Sequence, residues 1–208
     1  MYVPPIYRSP EPSRLRCVVR DHPLAVMVTN GPGVPYATHL PIVSPPGSAD
    51  AGELVGTTLL GHMNRANPHW SALGDGVCSR LLFSGPNGYI TPSLYRTTPA
   101  APTWDFVAVH LEGTLRLLEG RDETLRVVRR TVEVFEQDFG DGWDMEPSLD
   151  YFRQIGVGVG AFEFRVTAAE GMFKLSQEKD VAVRARIAER CPADLSRLIT
   201  QFCTKESS

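Results

Sequence analysis

The sequence predicts a mainly β protein, an antiparallel β-barrel with helices around it. Six or more short segments alternate apolar and polar residues or are rich in β-branched residues, and most end at Gly, Pro or Asn. Helical segments interrupt this series without the regular strand–helix alternation of a doubly wound parallel sheet. Together these observations favour an antiparallel barrel that carries helical additions.

The first elements are a helix and a hairpin. Residues 11–23 predict a short helix that opens at Pro12 or Ser13 and closes at a proline. The apolar segment 24–30 predicts a strand, the tripeptide GPG a turn, and residues 34–46 a second strand that ends at two prolines. The short turn indicates that these two strands pair with each other.

The next segment contains three predicted strands and a polar turn. Residues 52–63 predict the third strand. Residues 67–76 predict one or two helical turns, with Asn67 as the cap, proline at the first helical position and glycines at the exit. Two further strands, 77–86 and 88–95, are predicted to flank a tight turn at GPNG.

The C-terminal half alternates long strands with amphipathic helices. Residues 103–119 predict a long strand, bent at Gly113, because the segment alternates and is rich in β-branched residues. Residues 122–140 form the clearest amphipathic pattern, with apolar residues repeating at three and four. A shorter helix at 149–159 runs into a strand at 160–171. Two terminal helices are predicted at 178–190 and 192–203.

Length and composition limit the class of protein. The 208 residues predict a single domain, 1–208, with helical additions at about 122–157 and 178–203. A net charge of -3 does not favour a nucleic-acid partner. The apolar runs are too short for a membrane span, and the proline-broken N-terminus does not resemble a signal peptide, so we expect a cytoplasmic protein.

One histidine stands out by its position. His62 ends the third predicted strand and is followed by the polar turn MNRANPHW. A neutral imidazole there either ligates a metal or haem iron or only forms hydrogen bonds. His39 and His110 lie within strands, where an internally hydrogen-bonded histidine is expected. The four cysteines form no C-x-x-C pair, which argues against a zinc site.

Two more clusters are candidates for a binding site. In PTWDF, Trp104 is flanked by Thr103 and Asp105, so the tryptophan either walls an aromatic cofactor or fills the core. In FKLSQEKD, Lys174 lies close to Ser176 and Gln177. A cation, a hydroxyl and an amide together suit phosphate or propionate oxygens, although the same residues also occur in a solvated loop.

Taken together, these motifs resemble one known family. The succession HPLAVMVTN…THLPIV, LLGHMNRANPHW, LLFSGPNGYITPSLY, PTWDFVAVHLEG and FKLSQ is similar to the PaiB-like, FMN-binding negative transcriptional regulators. The resemblance covers about residues 2 to 185. It implies a split β-barrel, a homodimer, and a planar cofactor near the subunit interface.

Three departures from that family resemble its piperazate synthase branch. Typical members read PTWNY, GKWKLSQN and ARANPQW. Enzymes of the branch hold haem b rather than FMN and convert N5-hydroxy-ornithine into piperazic acid by joining its two nitrogens. In this chain the differing positions are Asn64, His69, Asp105, Phe106, Met172, Phe173 and Glu178.

The resemblance also implies roles for individual residues. His62 would be the axial haem ligand, and Arg65 would neutralise a propionate. The cofactor-binding residues implied are His62, Arg65, Asn67, Thr103, Trp104 and Gln177, and the catalytic candidates are Asp105, Lys174 and Glu178.

The implied reaction is an internal dehydration that needs no external reductant. Iron would act as a Lewis acid on the N–O bond, and a base would deprotonate the α-amine. The sequence leaves open which of the three catalytic candidates is that base. It also leaves open an FMN- or haem-binding regulator without catalysis, and a flavin-dependent oxidoreductase on the same barrel.

Overall fold

Six strands form within residues 1–9, 11–48 and 52–204, the part of the chain that the computed structural model describes. Around the ring they follow the order first, second, third, sixth, fifth, fourth, and the fourth pairs with the first to close it. Every pairing is antiparallel, so the predicted antiparallel barrel is confirmed. The strands are Leu24–Thr29 (β1), Tyr36–Val43 (β2), Thr58–Asn64 (β3), Cys78–Ile90 (β4), Thr103–Leu118 (β5) and Val159–Lys174 (β6).

Helices cover the outside and one end of this ring, as the sequence predicts. In the described chain they are Pro12–Asp21 (α1), Arg121–Asp138 (α2), Leu149–Ile155 (α3), Val181–Ala188 (α4) and Ala193–Thr204 (α5). Helix α2 packs against β2, β3 and β6 from outside, and α4 packs on α5. No helix among the described residues is long and apolar enough to cross a membrane.

The third strand is shorter than predicted. Residues 52–63 were expected to be extended, but β3 begins only at Thr58. Gly52 and Gly56 have φ angles of 101° and 82°, in the left-handed region that glycine adopts readily. These two glycines form turns before the strand, which the run of apolar residues around them did not indicate.

The predicted turn at GPNG is wrong. Residues 78–90 form one continuous strand, β4, where two strands joined by a tight turn were expected. The pairing of β4 with β5 shifts between Ser84 and Asn87, which marks a β-bulge. The bulge accommodates the glycine and proline residues without reversing the chain, so β4 pairs with β5 along most of its length.

The barrel interior is filled with large apolar side chains. Alternate residues of each strand point inward, which gives residues 104–116 of β5 a strict alternation of buried and more exposed positions. A second, smaller cluster lies outside the ring, where Val127 of α2 covers Leu60, Leu118 and Ala161. The largest fully buried side chains include Phe83, Phe162, Phe164, Phe173, Met27, Leu40, Ile42 and Leu111.

The antiparallel ring has two ends, which we name by one residue each. The His62 end contains the last residues of β1, β3 and β5 and the first residues of β2, β4 and β6. The Asp105 end contains the opposite termini of the same strands. Helix α1 leads into β1, and α4 follows β6, so both helices adjoin the Asp105 end.

Candidate functional site

The predicted site residues separate onto the two ends of the barrel. His62 pairs with Ala161, which in turn pairs with Leu118 at the last position of β5. Lys174 pairs with Phe106, near the beginning of the same strand. Strand β5 has 16 residues. At about 3.3 Å per residue the two positions are therefore roughly 40 Å apart along it. A single chain does not bring the two groups into one site.

His62 is a half-buried residue on the outer face of β3. Its neighbours Gly61 and Met63 are buried and face the interior, so the imidazole points away from it. A Cβ at Gly61 would overlap the ring of Phe162, which explains the glycine that precedes the histidine. The His62 Nδ1 atom is buried and has no hydrogen-bond partner among the described residues. Burial lowers the pKa of His62, so the ring is neutral near pH 7.

The polar turn after His62 closes this end of the barrel. The Arg65 backbone N–H donates to the Gly158 carbonyl at 2.8 Å, and its Nε donates to the Val159 carbonyl at 2.9 Å. The guanidinium also lies over the Trp70 ring, 5.2 Å from the ring centroid. Trp70 packs on Gly160, where a Cβ would overlap the indole. Arg65 is therefore exposed but held in place, which suits a group that meets an anion.

A half-buried hydrogen-bonded cluster, which the sequence did not reveal, holds the same turn. The Thr38 hydroxyl accepts from Asn67 Nδ2 at 3.2 Å and lies 2.9 Å from His69 Nδ1. Asn67 Oδ1 accepts from the His69 backbone N–H at 3.0 Å, which fits the predicted capping role. His69 is 1% exposed and stacks on Tyr36 with centroids 5.3 Å apart. The Asn67 amide is thus engaged in hydrogen bonds within the turn. A cofactor that used this amide, as predicted, would compete with these bonds.

The electrostatics of His69 follow from its burial. Burial lowers the pKa of His69, as it does for His62. The His69 Nε2 atom is buried without a hydrogen-bond partner among the described residues. A charged ring in this position would be costly, so the cluster requires the neutral form. The signal that could have revealed it is a histidine two residues after a capping asparagine.

At the opposite end, Asp105 is fully buried in the barrel wall. Its exposed fraction is 0%, and its Oδ2 atom accepts a hydrogen bond from the Ser176 hydroxyl at 2.6 Å. Burial raises the pKa of Asp105 to about 6, against the hydrogen bond from Ser176, which lowers it. The negative charge of Glu178 raises it further. A substrate amine would reach this carboxyl only if the Ser176 turn moved.

The turn that follows β6 is held by hydrogen bonds between its own side chains and backbone. Ser176 is buried and has a φ of 57°, unusual for a residue other than glycine. Gln177 Oε1 accepts from the Leu175 backbone N–H at 2.7 Å, and Gln177 Nε2 donates to the Phe173 carbonyl. The predicted cofactor-binding amide of Gln177 is therefore engaged within the turn.

Lys174, Thr103 and Glu178 surround this turn. Lys174 Nζ donates to the Thr103 hydroxyl, which brings these two predicted site residues together. Glu178 accepts from the Tyr7 hydroxyl at 3.3 Å. Burial, followed by the negative charge of Glu178, raises the pKa of Tyr7. Lys174 and Glu178 thus offer a cation and a carboxylate near the same barrel end.

Trp104 lies outside the barrel next to an aromatic residue that the sequence analysis missed. Trp104 is 52% exposed and Tyr89, its partner across the β4–β5 pairing, is 57% exposed. Their ring centroids are 6.0 Å apart. Trp104 Nε1 donates to Asn87 Oδ1 at 3.3 Å, which fixes the indole. An exposed, oriented aromatic pair can contact the face of a planar group, and the cross-strand register is what places Tyr89 there.

The other strand histidines lie on the outer face of the barrel, and the buried Nδ1 of His110 lacks the hydrogen bond that was expected, among the described residues. His39 pairs with Val26, which pairs with Leu82, and Leu82 pairs with His110, so the four residues form one row across the outer face. His39 is exposed and His110 is half-buried. Within the described ranges, no three His, Cys, Asp or Glu side chains are grouped closely enough to hold a metal ion.

Comparison with protein families gives one extended match. The family described as "Putative FMN-binding domain" matches residues 1–168. A Bacillus subtilis (strain 168) protein, named Protease synthase and sporulation protein PAI 2, is 28% identical over 183 residues, covering 86% of this chain and 84% of that protein. An uncharacterized Emericella nidulans protein, AN0679, is 24% identical over 213 residues, covering 86% and 85%.

Solved structures share the barrel at low sequence identity. A Mycobacterium smegmatis protein described as binding FAD and haem has a TM-score of 0.59 at 15% identity, covering 88% of this chain and 80% of that one. The flavocytochrome Anf3 from Azotobacter vinelandii has a TM-score of 0.51 at 15% identity, covering 76% and 65%. This likeness concerns the fold, and it confirms the predicted split-barrel class.

Proposed function

We propose that this chain, which belongs to the FMN-binding-domain family of PaiB-like proteins, is a haem-dependent piperazate synthase that works as a homodimer. The coarser assignment, a PaiB-like split-barrel protein that binds FMN or haem, rests on the family match and on the barrel shared with flavin- and haem-binding proteins. The finer assignment rests on His62, the observation that carries it.

The chemistry of His62 fits an iron ligand. A ligating imidazole must be neutral, and burial lowers the pKa of His62. The side chain stands on a strand, which fixes a ring better than a loop does. Its buried Nδ1 has no hydrogen-bond partner among the described residues, so no protein hydrogen bond through that atom competes with ligation by the ring. Arg65, held between Val159 and Trp70, supplies a cation for a propionate near the same barrel end.

A homodimer would unite the two separated groups. In a two-fold dimer each surface patch meets its own counterpart in reverse, so a residue at one barrel end can face a residue at the other end of the partner. Trp104 is 52% exposed on β5, the strand next to β6 and Lys174, and it gives the outer face apolar surface for such contact. Each of two sites would then take His62 from one chain and Lys174 from the other.

The residues of the Asp105 end suit an amino-acid substrate. Lys174 is a cation held by Thr103 and suits a carboxylate, and Glu178 is a carboxylate held by Tyr7 and suits an ammonium group. Asp105 would fix the positions of Lys174 and Glu178 without touching the substrate, because it accepts a hydrogen bond from Ser176 in the turn between them. Asp105 is then a positioning residue, whereas Lys174 and Glu178 contact the substrate.

The reaction joins the two nitrogens of N5-hydroxy-ornithine and releases one water. The α-ammonium loses one proton to a base, the resulting amine forms the N–N bond as the N–O bond breaks, and a second proton from that nitrogen joins the departing hydroxide to give water. Haem iron, when bound, supplies a Lewis acid for the leaving oxygen. Glu178 would hold the α-ammonium and take its proton, and the exposed pair of Trp104 and Tyr89 would contact a planar group near the same barrel end.

An absorption spectrum of the purified protein tests the cofactor. Ligated haem gives a Soret band at roughly 400 nm. We expect His62→Ala to lose this band and the conversion of N5-hydroxy-ornithine to piperazic acid, measured by mass spectrometry. His39→Ala, which changes an exposed histidine of the same sheet, serves as the matched control and should keep both. An unchanged spectrum and rate in His62→Ala would move the ligand elsewhere.

Mixed dimers test the shared site. His62→Ala and Lys174→Ala chains should each be inactive alone. When they are unfolded together and refolded, half of the dimers combine one chain of each kind, and each such dimer has one intact site. We expect about a quarter of wild-type activity to return, by this counting of sites. If both functional groups came from one chain, mixing would restore nothing.

The second candidate is an FMN-binding regulator without catalysis. The exposed Trp104–Tyr89 pair favours it, since such a pair also suits an isoalloxazine ring. Helix α2 offers little positive charge to the phosphates of DNA, because a glutamate lies within 4 Å of each of its arginines Arg126, Arg129 and Arg130. A yellow protein that lacks the Soret band and does not convert the substrate would support this candidate over the synthase.

A further inference from the structure

A cavity of about 470 Å³ lies at the Asp105 end, between α1, the end of β2 and the last turn of α2. Its lining is mixed, and the apolar part includes Val19, Val43, Leu54 and Phe135. Its polar lining includes three arginines, Arg16, Arg20 and Arg130, against a single carboxylate, Asp138. The cavity is within the size range of small-molecule sites. It therefore combines three arginines with apolar side chains in a chain whose net charge is -3.

Arg16 is the most informative of these residues. It is only 9% exposed, and its guanidinium donates to two backbone carbonyls, Glu53 at 2.6 Å and Gly52 at 3.4 Å. No carboxylate of the described residues lies within 4 Å of it, the limit for an ion pair. A buried charge is costly unless an opposite charge accompanies it. Two carbonyl dipoles leave that requirement only partly met.

Arg130 approaches the same cavity from α2. Its Nε donates to the Ser44 carbonyl at 3.1 Å, and its nearest carboxylate, Glu133, is 3.9 Å away. Arg20 is more exposed and bonds to Asp21 at 2.7 Å. The last turns of α1 and α2 also border the cavity, and their partial negative charge offsets part of the positive field. The remaining field suits one negative charge better than two.

We propose that this cavity binds an amphiphilic monoanion, with its carboxylate or phosphate between Arg16 and Arg130 and its apolar chain along Val19, Leu54 and Phe135. Guanidinium groups bind both kinds of oxyanion through paired hydrogen bonds, so the shared chemistry is an oxyanion on an apolar body. The site is independent of His62, and its failure would leave the haem proposal unchanged.

Titration calorimetry on the full-length protein tests the site with defined probes. Octanoate and octyl methyl phosphate, a phosphate diester that also carries a single negative charge, are both used below micelle-forming concentrations and distinguish a carboxylate ligand from a phosphate ligand. Octanol has the same chain without the charge. We expect at least one anion to bind at least about tenfold more tightly than octanol, the range for losing a charged hydrogen bond. Equal binding of octanol, or binding of none of the three, would overturn the proposal without any variant.

Two variants on one helix locate the anion. Arg130→Gln should weaken binding about tenfold or more. Arg126→Gln is the matched control, because Arg126 lies on α2 outside this cavity and its side chain is 75% exposed. It should change binding less than about twofold. Equal affinity in Arg130→Gln and wild type would show that the anion binds elsewhere and would refute the site.

Discussion

Asp105→Asn should remove a pH-dependent loss of stability from this protein. In the folded chain Asp105 is 0% exposed, and burial raises its pKa from 3.8 to about 6. Asparagine has nearly the same shape and can keep a hydrogen bond with Ser176, but it carries no charge. The variant therefore resembles the protonated wild type at every pH.

The sign of the effect follows from the raised pKa. The folded state binds the Asp105 proton more tightly than the unfolded state, so between the two pKa values the free energy of unfolding falls as pH rises. The stabilisation is complete below about pH 4 and lost above about pH 6. A shift from 3.8 to about 6 corresponds to about 3 kcal/mol in all, of which about 2 kcal/mol falls between about pH 4.5 and pH 8.

Urea unfolding, followed by tryptophan fluorescence, measures this difference. We compare the free energy of unfolding of Asp105→Asn with that of wild type at two pH values. The difference, variant minus wild type, should be larger at about pH 8 than at about pH 4.5, by about 2 kcal/mol. Glu178→Gln serves as a comparison. The negative charge of Glu178 raises the pKa of Asp105, so its removal should shrink the slope without abolishing it.

Identical pH dependence in wild type and Asp105→Asn would refute the reasoning. It would mean that Asp105 stays ionised across this range because a cation compensates the buried charge. The same variant tests the functional role. If Asp105 acts through the Ser176 turn, haem content should survive while kcat/KM falls by roughly ten- to several-hundred-fold.

Three further changes test the His62 end. Gly160→Ala should cost about 1–3 kcal/mol of stability, because the added Cβ meets Trp70, and the emission maximum of Trp70 should shift. Thr38→Val should cost a similar amount, since it leaves His69 Nδ1 without its partner; Thr38→Ser should restore stability in the same urea titration. Arg116→Gln breaks an exposed ion pair and should change the free energy of unfolding by less than about 1 kcal/mol.

The elements that the sequence predicted well are those whose signal is local. The pattern of apolar residues in 122–140 and the alternation in 103–119 gave α2 and β5 to within a few residues. The GPNG segment failed because its chemistry is that of a turn, whereas its structure is decided by pairing with β5. Long-range pairing of this kind leaves little trace in a single sequence.

The same error changes the barrel end at which Asp105 is expected. Successive strands of an antiparallel meander run in alternate directions. With a hairpin at GPNG, the strand of Asp105 would begin at the same barrel end as His62. With β4 continuous, it begins at the other end. The partners of Asn67 and Gln177 were hidden for a different reason, since hydrogen bonds to Thr38 and to backbone atoms depend on tertiary contacts.

The connection between β5 and β6 has a consequence for the order of folding. These strands pair along most of their length, yet residues 119–158, including α2 and α3, separate them. Closing a loop of about 40 residues costs roughly 2 kcal/mol more chain entropy than closing a four-residue hairpin. Helix α2 shortens the flexible part once it forms, so its early formation should speed this pairing. Helix-breaking substitutions on the exposed face of α2 should therefore slow refolding more than they accelerate unfolding.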